Sequence, residues 1–327
     1  MKKKIAFVTG GYSGEAVISY ESAKTIEAHV DRARYDLYRI DIRRDGWFYN
    51  PAQGIEVPMD KNDFSFTLDG QKTTFEAVLC GIHGTPGEDG KLQGYFDLLG
   101  LPYTACGLAS SAITFNKRYT VAVAAFSGIP VSRSLHFFKG DPVDPAQVFG
   151  PLQPPLFVKP NNGGSSIGMS KINSPEELAP ALDKAFKEDD EVIVEEFISG
   201  TELTIGVYRQ GKDIVTLPIT EIRSKKEFFD YEAKYTTGMA EEITPAPVSP
   251  AIRELIQNQA KKLYHIFNCK GVVRIDFIYN EASGKAFMLE INTVPGQSAN
   301  SIVPQQIRAA GNTLQEFYTS LIESCLA

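Results

Sequence analysis

The first third of the chain alternates short apolar runs with stretches of helical spacing. KIAFV (4–8) is a continuous apolar run of the buried-strand kind, GGYSGE (10–15) is a polar glycine loop, and AVISYESAKTIEAHV (16–30) repeats its apolar residues at helical intervals. YDLYRIDI (35–42) and FEAVLCGI (75–82) read as further strands, and LQGYFDLLG (92–100) as a short helix. Such alternation predicts a parallel sheet covered by helices, with binding loops after the strands' C-terminal ends. GGYSGE and HGTPGEDG (83–90) both occupy that edge.

The pattern then changes. One helix is expected from about Ser110 to Phe126, with Lys117 near its middle. Short strands follow at VSRSLHFF (131–138) and PLFVKP (155–160), then a glycine-serine loop NNGGSSIG (161–168) and a strand MSKI (169–172). Ser174-Pro-Glu-Glu177 opens a helix as a capping box with proline in its first turn. EVIVEEF (191–197) is a strand, and ELTIGVYR (202–209) and DIVTLPITEI (213–222) are two more joined by a QGK turn. The segment 223–242 has no clear period and is rich in Lys, Phe and Tyr, the character of a functional lid. An amphipathic helix at 247–267 leads into two strands, VVRIDFIY (272–279) and AFMLEINTVPG (286–296), and a last helix spans Asn312 to Leu326.

Those last two strands carry the densest chemistry. NEASGK between them is a polar turn with Gly284 late in it, so the pair reads as a β-hairpin. Side chains alternate faces along a strand, so Arg274 and Asp276 share one face, as do Glu290 and Asn292. Folding about residues 281–284 brings Asp276 nearly opposite Glu290. Like charges opposed in this way need a counter-ion, and hard oxygen ligands suit Mg²⁺.

Composition narrows the function classes. The chain has 327 residues, enough for two or three domains, and its net charge of −7 argues against nucleic acid or anionic membrane as the main partner. An anionic substrate must therefore be met by local basic groups. No run approaches a membrane span, and the apolar run after MKKK is too short for an export signal, so the expectation is a cytoplasmic protein. Cys80, Cys106, Cys269 and Cys325 are scattered without a CxxC and read as reduced thiols.

Lys159 ends an apolar strand and aims at NNGGSSIG, where glycines permit close approach and amides and hydroxyls donate to an anion. Glu195 and Glu196 end the next apolar strand and Glu202 begins another. They are either charged strand ends or acceptors for an adenine amino group and ribose hydroxyls. His83 differs from the other histidines in entering a glycine-rich loop directly from a strand. Together these elements describe an enzyme of the Mg-nucleotide type, with Lys117, Lys159 and the glycine loop on the phosphates.

The ordered set is more specific than its parts. GGYSGE, HGTPGEDG, the Lys117 helix, KPNNGGSSIG, VEEFISGTELT, FFDYEAKY, VVRIDF and MLEINTVPGQSANSIVP run across nearly the whole chain. In this order they resemble the motifs of the D-alanine–D-alanine ligase family, within the ATP-grasp superfamily. The resemblance implies an α/β fold of three domains: an N-terminal Rossmann-like substrate domain (1–106), a central ATP-grasp subdomain (107–194), and a C-terminal subdomain (195–327) with lid and metal hairpin. Two of the sheets would grip ATP. It implies an ATP-dependent reaction through a D-alanyl phosphate that yields D-alanyl-D-alanine for peptidoglycan precursors, with two Mg²⁺ (or Mn²⁺) ions and a homodimeric assembly.

By the same resemblance, Lys117 and Lys159 contact the ATP phosphates and the Ser165-Ser166 loop closes over them. Glu195, Phe197 and Ile198 line the adenine pocket, Glu202 meets the ribose, and Lys234 approaches the transferred phosphate. Asp276, Glu290 and Asn292 match the metal ligands, with Glu290 bridging two ions. Arg274 and the Gly296 N–H face the oxyanion. Glu15, with His83 nearby, holds the first substrate's ammonium, and Ser301 with the Ile302 backbone receives the second carboxylate. A hydrogen-bonded set of Glu15, Ser165 and Tyr235 is implied, and tyrosine at 235 favours dipeptide over a D-lactate ester. Val17 stands where many members have Glu, and Glu196 where several have Lys. The alternatives are another ATP-grasp amino-acid ligase, which would differ around Glu15, Tyr235 and Ser301, and a non-catalytic ATP-binding regulator, which would have lost Arg274, Lys234 or a hairpin carboxylate.

Overall fold

The computed structural model describes residues 2–52, 54–164, 167–224 and 240–327. Strand Lys3–Gly10 lies inside the first sheet, parallel to Tyr35–Arg43 on one side and to Ala77–Cys80 on the other. It is covered on both faces, which is why its sequence is a continuous apolar run. Ile5 and Phe7 pack with Ala23 and Ile26 of helix Ala16–His29, while Ala6 and Val8 pack with Leu92 and Phe96 of helix Lys91–Leu99. Beyond Tyr35–Arg43 the sheet continues through Gly46–Tyr49, Val57–Asp60, Ser65–Leu68 and Gln71–Thr73, all antiparallel. Apolar patterning does not reveal these four strands, because each is at most four residues long and the last three carry exposed polar residues.

The second sheet is antiparallel, ordered Ser170–Ile172, Leu156–Pro160, Glu191–Glu196, Ser134–Phe138. Its Leu156, Val158, Val192 and Val194 pack under helices Pro145–Phe149 and Leu178–Ala185. The third sheet joins Ala240–Ile243, Thr220–Ser224, Thr201–Gln210, Val272–Asn280 and Lys285–Asn292, with Asp213–Thr216 on the far end of Thr201–Gln210. Helix Pro250–Ile266, capped by the Ser249 hydroxyl on the Ile252 N–H, covers one face through Ile256, Ala260 and Leu263. A single apolar cluster joins Ile5 and Phe7 to Tyr208 and Val272 through the C-terminal helix Leu314–Leu326, tying the first sheet to the third.

Three expectations need correction. The helix over Ser110–Phe126 is two helices, Leu108–Phe115 and Lys117–Phe126, divided at Asn116. The Asn116 side chain accepts the Tyr119 N–H at 3.1 Å, so it caps the second helix, and Lys117 is that helix's first residue rather than its middle. The run DIVTLPITEI is two strands separated by Leu217-Pro218-Ile219, since proline cannot donate to a ladder. At Ser174 the hydroxyl makes no cap bond; Pro175–Glu177 is a 3₁₀ turn, and the Glu177 carboxylate reaches back to the Asn173 N–H at 2.6 Å.

Candidate active site

The hairpin forms with its turn at 281–284, Asn280 pairing Lys285. Regular pairing from that turn would set Leu289 opposite Asp276. A bulge between Asp276 and Phe277 shifts the register by one, so Phe277 pairs Met288 while Asp276 pairs Glu290. Phe277 and Met288 stay in the core, and both carboxylates emerge on the opposite face. Arg274 donates to Asp276 as a fork, Nε to Oδ1 at 2.9 Å and Nη2 to Oδ2 at 2.8 Å, and Nη2 lies 4.0 Å from Glu290 Oε1. The Thr204 hydroxyl also donates to Asp276 Oδ1. Asn292 Nδ2 donates to Asp276 Oδ2 at 3.2 Å and to Glu290 Oε1 at 3.4 Å. The nearby carboxylates hold the Arg274 guanidinium more firmly charged than usual, against the opposing effect of burial.

This donor set fits a hard divalent cation: two carboxylates and an amide that can turn its oxygen inward supply few protein oxygens, as Mg²⁺ sites that share phosphates do. Among the described residues no group of three or more His, Cys, Asp or Glu forms a metal cage.

On the second sheet, strand alternation places Phe157 and Lys159 on the face away from the core. Glu195 pairs with Phe157 in register, one step diagonal from Lys159, and the Lys159 ammonium forms an ion pair with the Glu195 carboxylate. The phosphate lysine and the adenine glutamate expected from the sequence are therefore in direct contact. The Phe157 and Phe197 rings meet edge to face at 5.8 Å, and Lys171 Nζ sits 4.8 Å over the Phe197 ring. Glu196 points elsewhere, accepting the Gln153 N–H at 2.9 Å and pairing with Arg133 at 3.4 Å. Lys117 anchors the root of the glycine loop: its N–H donates to Asn161 O at 3.0 Å and its Nζ to Gly163 O at 2.7 Å.

The edge of the first sheet completes the group. Glu15 stands at the N-terminus of helix Ala16–His29, and its carboxylate lies against Gly84 of the 83–90 loop and Gly164 of the glycine loop. A Cβ at either glycine would collide with it. His83 is buried, its Nε2 lies 3.0 Å from Ser22 Oγ, and its N–H donates to Ser19 Oγ at 2.9 Å. Burial pushes its imidazole down to about 4, so it is neutral at physiological pH. Ser301 begins helix Ile302–Ala309, and its Oγ lies 2.7 Å from Ser298 Oγ and close to Gly296. The N-terminus of that helix, where the Ile302 and Val303 amides precede Pro304, suits a carboxylate. Buried Gln306 pins the helix to the third sheet, accepting the Gly206 N–H at 2.9 Å and donating to Thr204 O at 3.1 Å and Thr220 Oγ1 at 3.0 Å.

Ile198 follows the Phe197 strand end, and Glu202 shares the carboxylate face of the third sheet, two positions from Thr204. Ser165, Ser166, Lys234 and Tyr235 lie outside the described residues. Sequence reasoning missed Glu88. It is partly buried, accepting the Gly84 N–H at 2.7 Å and the Val294 N–H at 3.1 Å, and burial together with the charge of Glu15 pushes its carboxyl up to about 8. An acidic residue inside a glycine loop was the available signal. All four cysteines are free thiols, and among the described residues no helix is long and apolar enough to cross a membrane.

Comparison with known proteins gives matches over the whole chain. The family described as D-ala D-ala ligase N-terminus matches residues 4–106, and that described as D-ala D-ala ligase C-terminus matches 123–323. A relative named D-alanine–D-alanine ligase, from Parabacteroides distasonis, is 46% identical over 324 residues, covering 99% of this chain and 97% of its own. The crystal structure of D-alanyl-alanine synthetase A from Vibrio cholerae aligns at a TM-score of 0.89 with 29% identity, covering 99% of this chain and 98% of that one. D-alanine–D-alanine ligase from Bacillus anthracis complexed with ATP aligns at 0.80 with 26% identity, covering 100% and 97%.

Proposed function

The chain belongs to the D-alanine–D-alanine ligase family, and from that membership we infer how its own residues carry out the ATP-dependent joining of two D-alanines for peptidoglycan precursors. Its architecture is that of ATP-grasp enzymes. The observation that carries the residue-level reading is the bulged hairpin, which sets Asp276, Glu290, Asn292 and Arg274 on one face. We assign the three domains as 1–106, 107–194 and 195–327.

In this reading ATP lies along Phe157, Phe197 and Ile198, with Glu195 accepting from the adenine amino group and Glu202 from the ribose. Lys117 and Lys159 meet the phosphates, which requires Lys159 to divide its charge between Glu195 and the nucleotide. Ser165, Ser166 and Lys234 act on the same phosphates. Bound Mg²⁺ or Mn²⁺ would be held by Asp276, Glu290 and Asn292 and would neutralise phosphate charge during transfer. The first D-alanine offers its ammonium to Glu15 and its carboxylate to the γ-phosphate. A carboxylate oxygen bonds to phosphorus as ADP leaves, giving D-alanyl phosphate. The amine of the second D-alanine, after losing a proton, bonds to the acyl carbon, and phosphate departs with the C–O electron pair.

Arg274 and the Gly296 N–H stabilise the oxyanion between those events. In the fork described above Nε and Nη2 are engaged with Asp276, so Nη1 is the edge assigned to the oxyanion. Ser301 and the Ile302 N–H receive the second carboxylate at the helix N-terminus. Neutral His83 beside this group adds no cation to compete with the substrate ammonium for Glu15.

The test is product identification. Enzyme, MgATP and D-alanine should give equimolar ADP, phosphate and D-alanyl-D-alanine by mass spectrometry, while L-alanine gives no dipeptide. Equal turnover of the two enantiomers would contradict the reading.

A further inference from the structure

The turn that follows the hairpin, Thr293 to Gln297, contains Gly296, yet two of its backbone N–H groups are anchored on the N-terminal domain. Thr293, Val294 and Gln297 are each at most 6% exposed. The Val294 N–H ends on Glu88, and the Gln297 N–H ends on Ser22 Oγ at 3.0 Å. Gln297 is also held by the Tyr318 hydroxyl at 3.2 Å, and its own Nε2 donates to Pro295 O at 3.2 Å. Glu88 is itself rigidly placed: its N–H and that of Gly87 both donate to Gly84 O at 2.8 Å, and Gln93 holds Gly87 O at 2.6 Å. Each Glu88 oxygen therefore serves a different element, Oε2 the 83–90 loop and Oε1 the turn. The pair spans 206 residues of sequence.

We propose that Glu88 is a positioning residue for the second chemical step: it latches the 293–297 turn to the N-terminal domain and so fixes the Gly296 amide over the acyl carbon. The proposal rests on the ligase reading above and deepens it. A carboxyl group is required because it is the one side chain of this length whose two oxygens can each stand as acceptor to a separate backbone N–H, as Oε2 does for Gly84 and Oε1 for Val294. Glutamine keeps the volume but offers a single acceptor, and its NH₂ would meet the second N–H head on. The turn would then move by a fraction of an ångström to an ångström. A displacement of that size costs on the order of 100-fold where a reacting group must be aligned. ATP binding, on the far sheets, does not touch the latch. The bonds from the Gly87 and Glu88 N–H groups to Gly84 O hold Gly84 against Glu15 when the side chain is changed, so phosphorylation of the first D-alanine is retained.

The experiment compares the wild-type chain with Glu88→Gln in three assays: dipeptide formation, D-alanyl hydroxamate formation when hydroxylamine traps the acyl phosphate, and the KM for ATP. The latch predicts dipeptide turnover lower by roughly 30-fold or more, hydroxamate formation within about threefold and ATP KM within about twofold of wild type. Dipeptide turnover within about threefold would overturn it. So would a parallel fall in all three assays, which is what a merely structural role gives. Hydrogen exchange of the wild-type chain is the check that needs no variant. The latch predicts a Val294 amide as slow as that of Ile275 in the adjoining strand, and rapid exchange at Val294 overturns it even if Glu88→Gln fails to fold. A wild-type chain that makes hydroxamate but no dipeptide would instead refute the ligase reading itself.

Discussion

Replacing Arg274 with methionine separates the structural and chemical parts of the hairpin. Methionine keeps an apolar stem and removes the guanidinium, so Asp276 loses two hydrogen bonds of 2.9 and 2.8 Å and faces Glu290 without a cation between them. Removing one partner of a buried ion pair costs about 3–5 kcal/mol. The Arg274 and Asp276 side chains are 21% and 12% exposed, and Thr204 and Asn292 still donate to Asp276. Partial solvation and those two donors bring the expected loss to about 2–3 kcal/mol. Mg²⁺ with nucleotide should recover part of it, because a cation returns to the carboxylates. Turnover should fall about 100-fold or more, the scale of one lost oxyanion donor. Urea unfolding followed by circular dichroism, with and without MgADP, and steady-state ligation measure both. A stability change below about 1 kcal/mol together with turnover within threefold would refute the reasoning.

Glu290→Gln should abolish turnover while leaving a folded chain that still unfolds cooperatively, and near-normal activity would show the metal assignment to be wrong. His83 is held neutral by burial, with its imidazole pushed down to about 4 against an ordinary 6.5. As pH falls below 6.5 the unfolded chain takes up the proton first, so the stability His83 contributes is full above that pH and is lost progressively toward pH 4. At about 1.4 kcal/mol per pH unit, the advantage of wild type over His83→Asn should shrink by about 2 kcal/mol between pH 6.5 and 5 in urea melts; a pH-independent difference would contradict the buried neutral state. Tyr235→Phe should raise the ratio of D-lactate ester to dipeptide at neutral pH, and an unchanged ratio would remove the basis for assigning a role to that hydroxyl.

Much of this site is legible in the sequence because its parts sit at ends of regular elements. The Lys159 strand and the two hairpin strands announce themselves by their apolar runs, and alternation puts Arg274 with Asp276 and Glu290 with Asn292 on shared faces. The contact of Lys159 with Glu195 appears only in the folded sheet. What pattern cannot supply is the irregular residue. Leu289 is apolar like Met288 before it, and nothing local marks it as the bulge that shifts the register. Asn116 interrupts an apolar helical spacing, and its capping role becomes visible only when the Tyr119 amide is found on it. Helix Ile302–Ala309 escaped because its apolar stripe is two turns long and contains Pro304. Glu88 and Ser22 escaped for another reason: their partners on the 293–297 turn lie 206 and 275 residues away, a distance no periodicity reports.

The most direct test of the central claim, that the cleft activates a D-alanine carboxylate by phosphorylation, follows the oxygen. With D-alanine labelled by ¹⁸O in both carboxylate positions and unlabelled MgATP, each turnover should place one ¹⁸O in the released phosphate. Dipeptide formed with unlabelled phosphate would contradict the account.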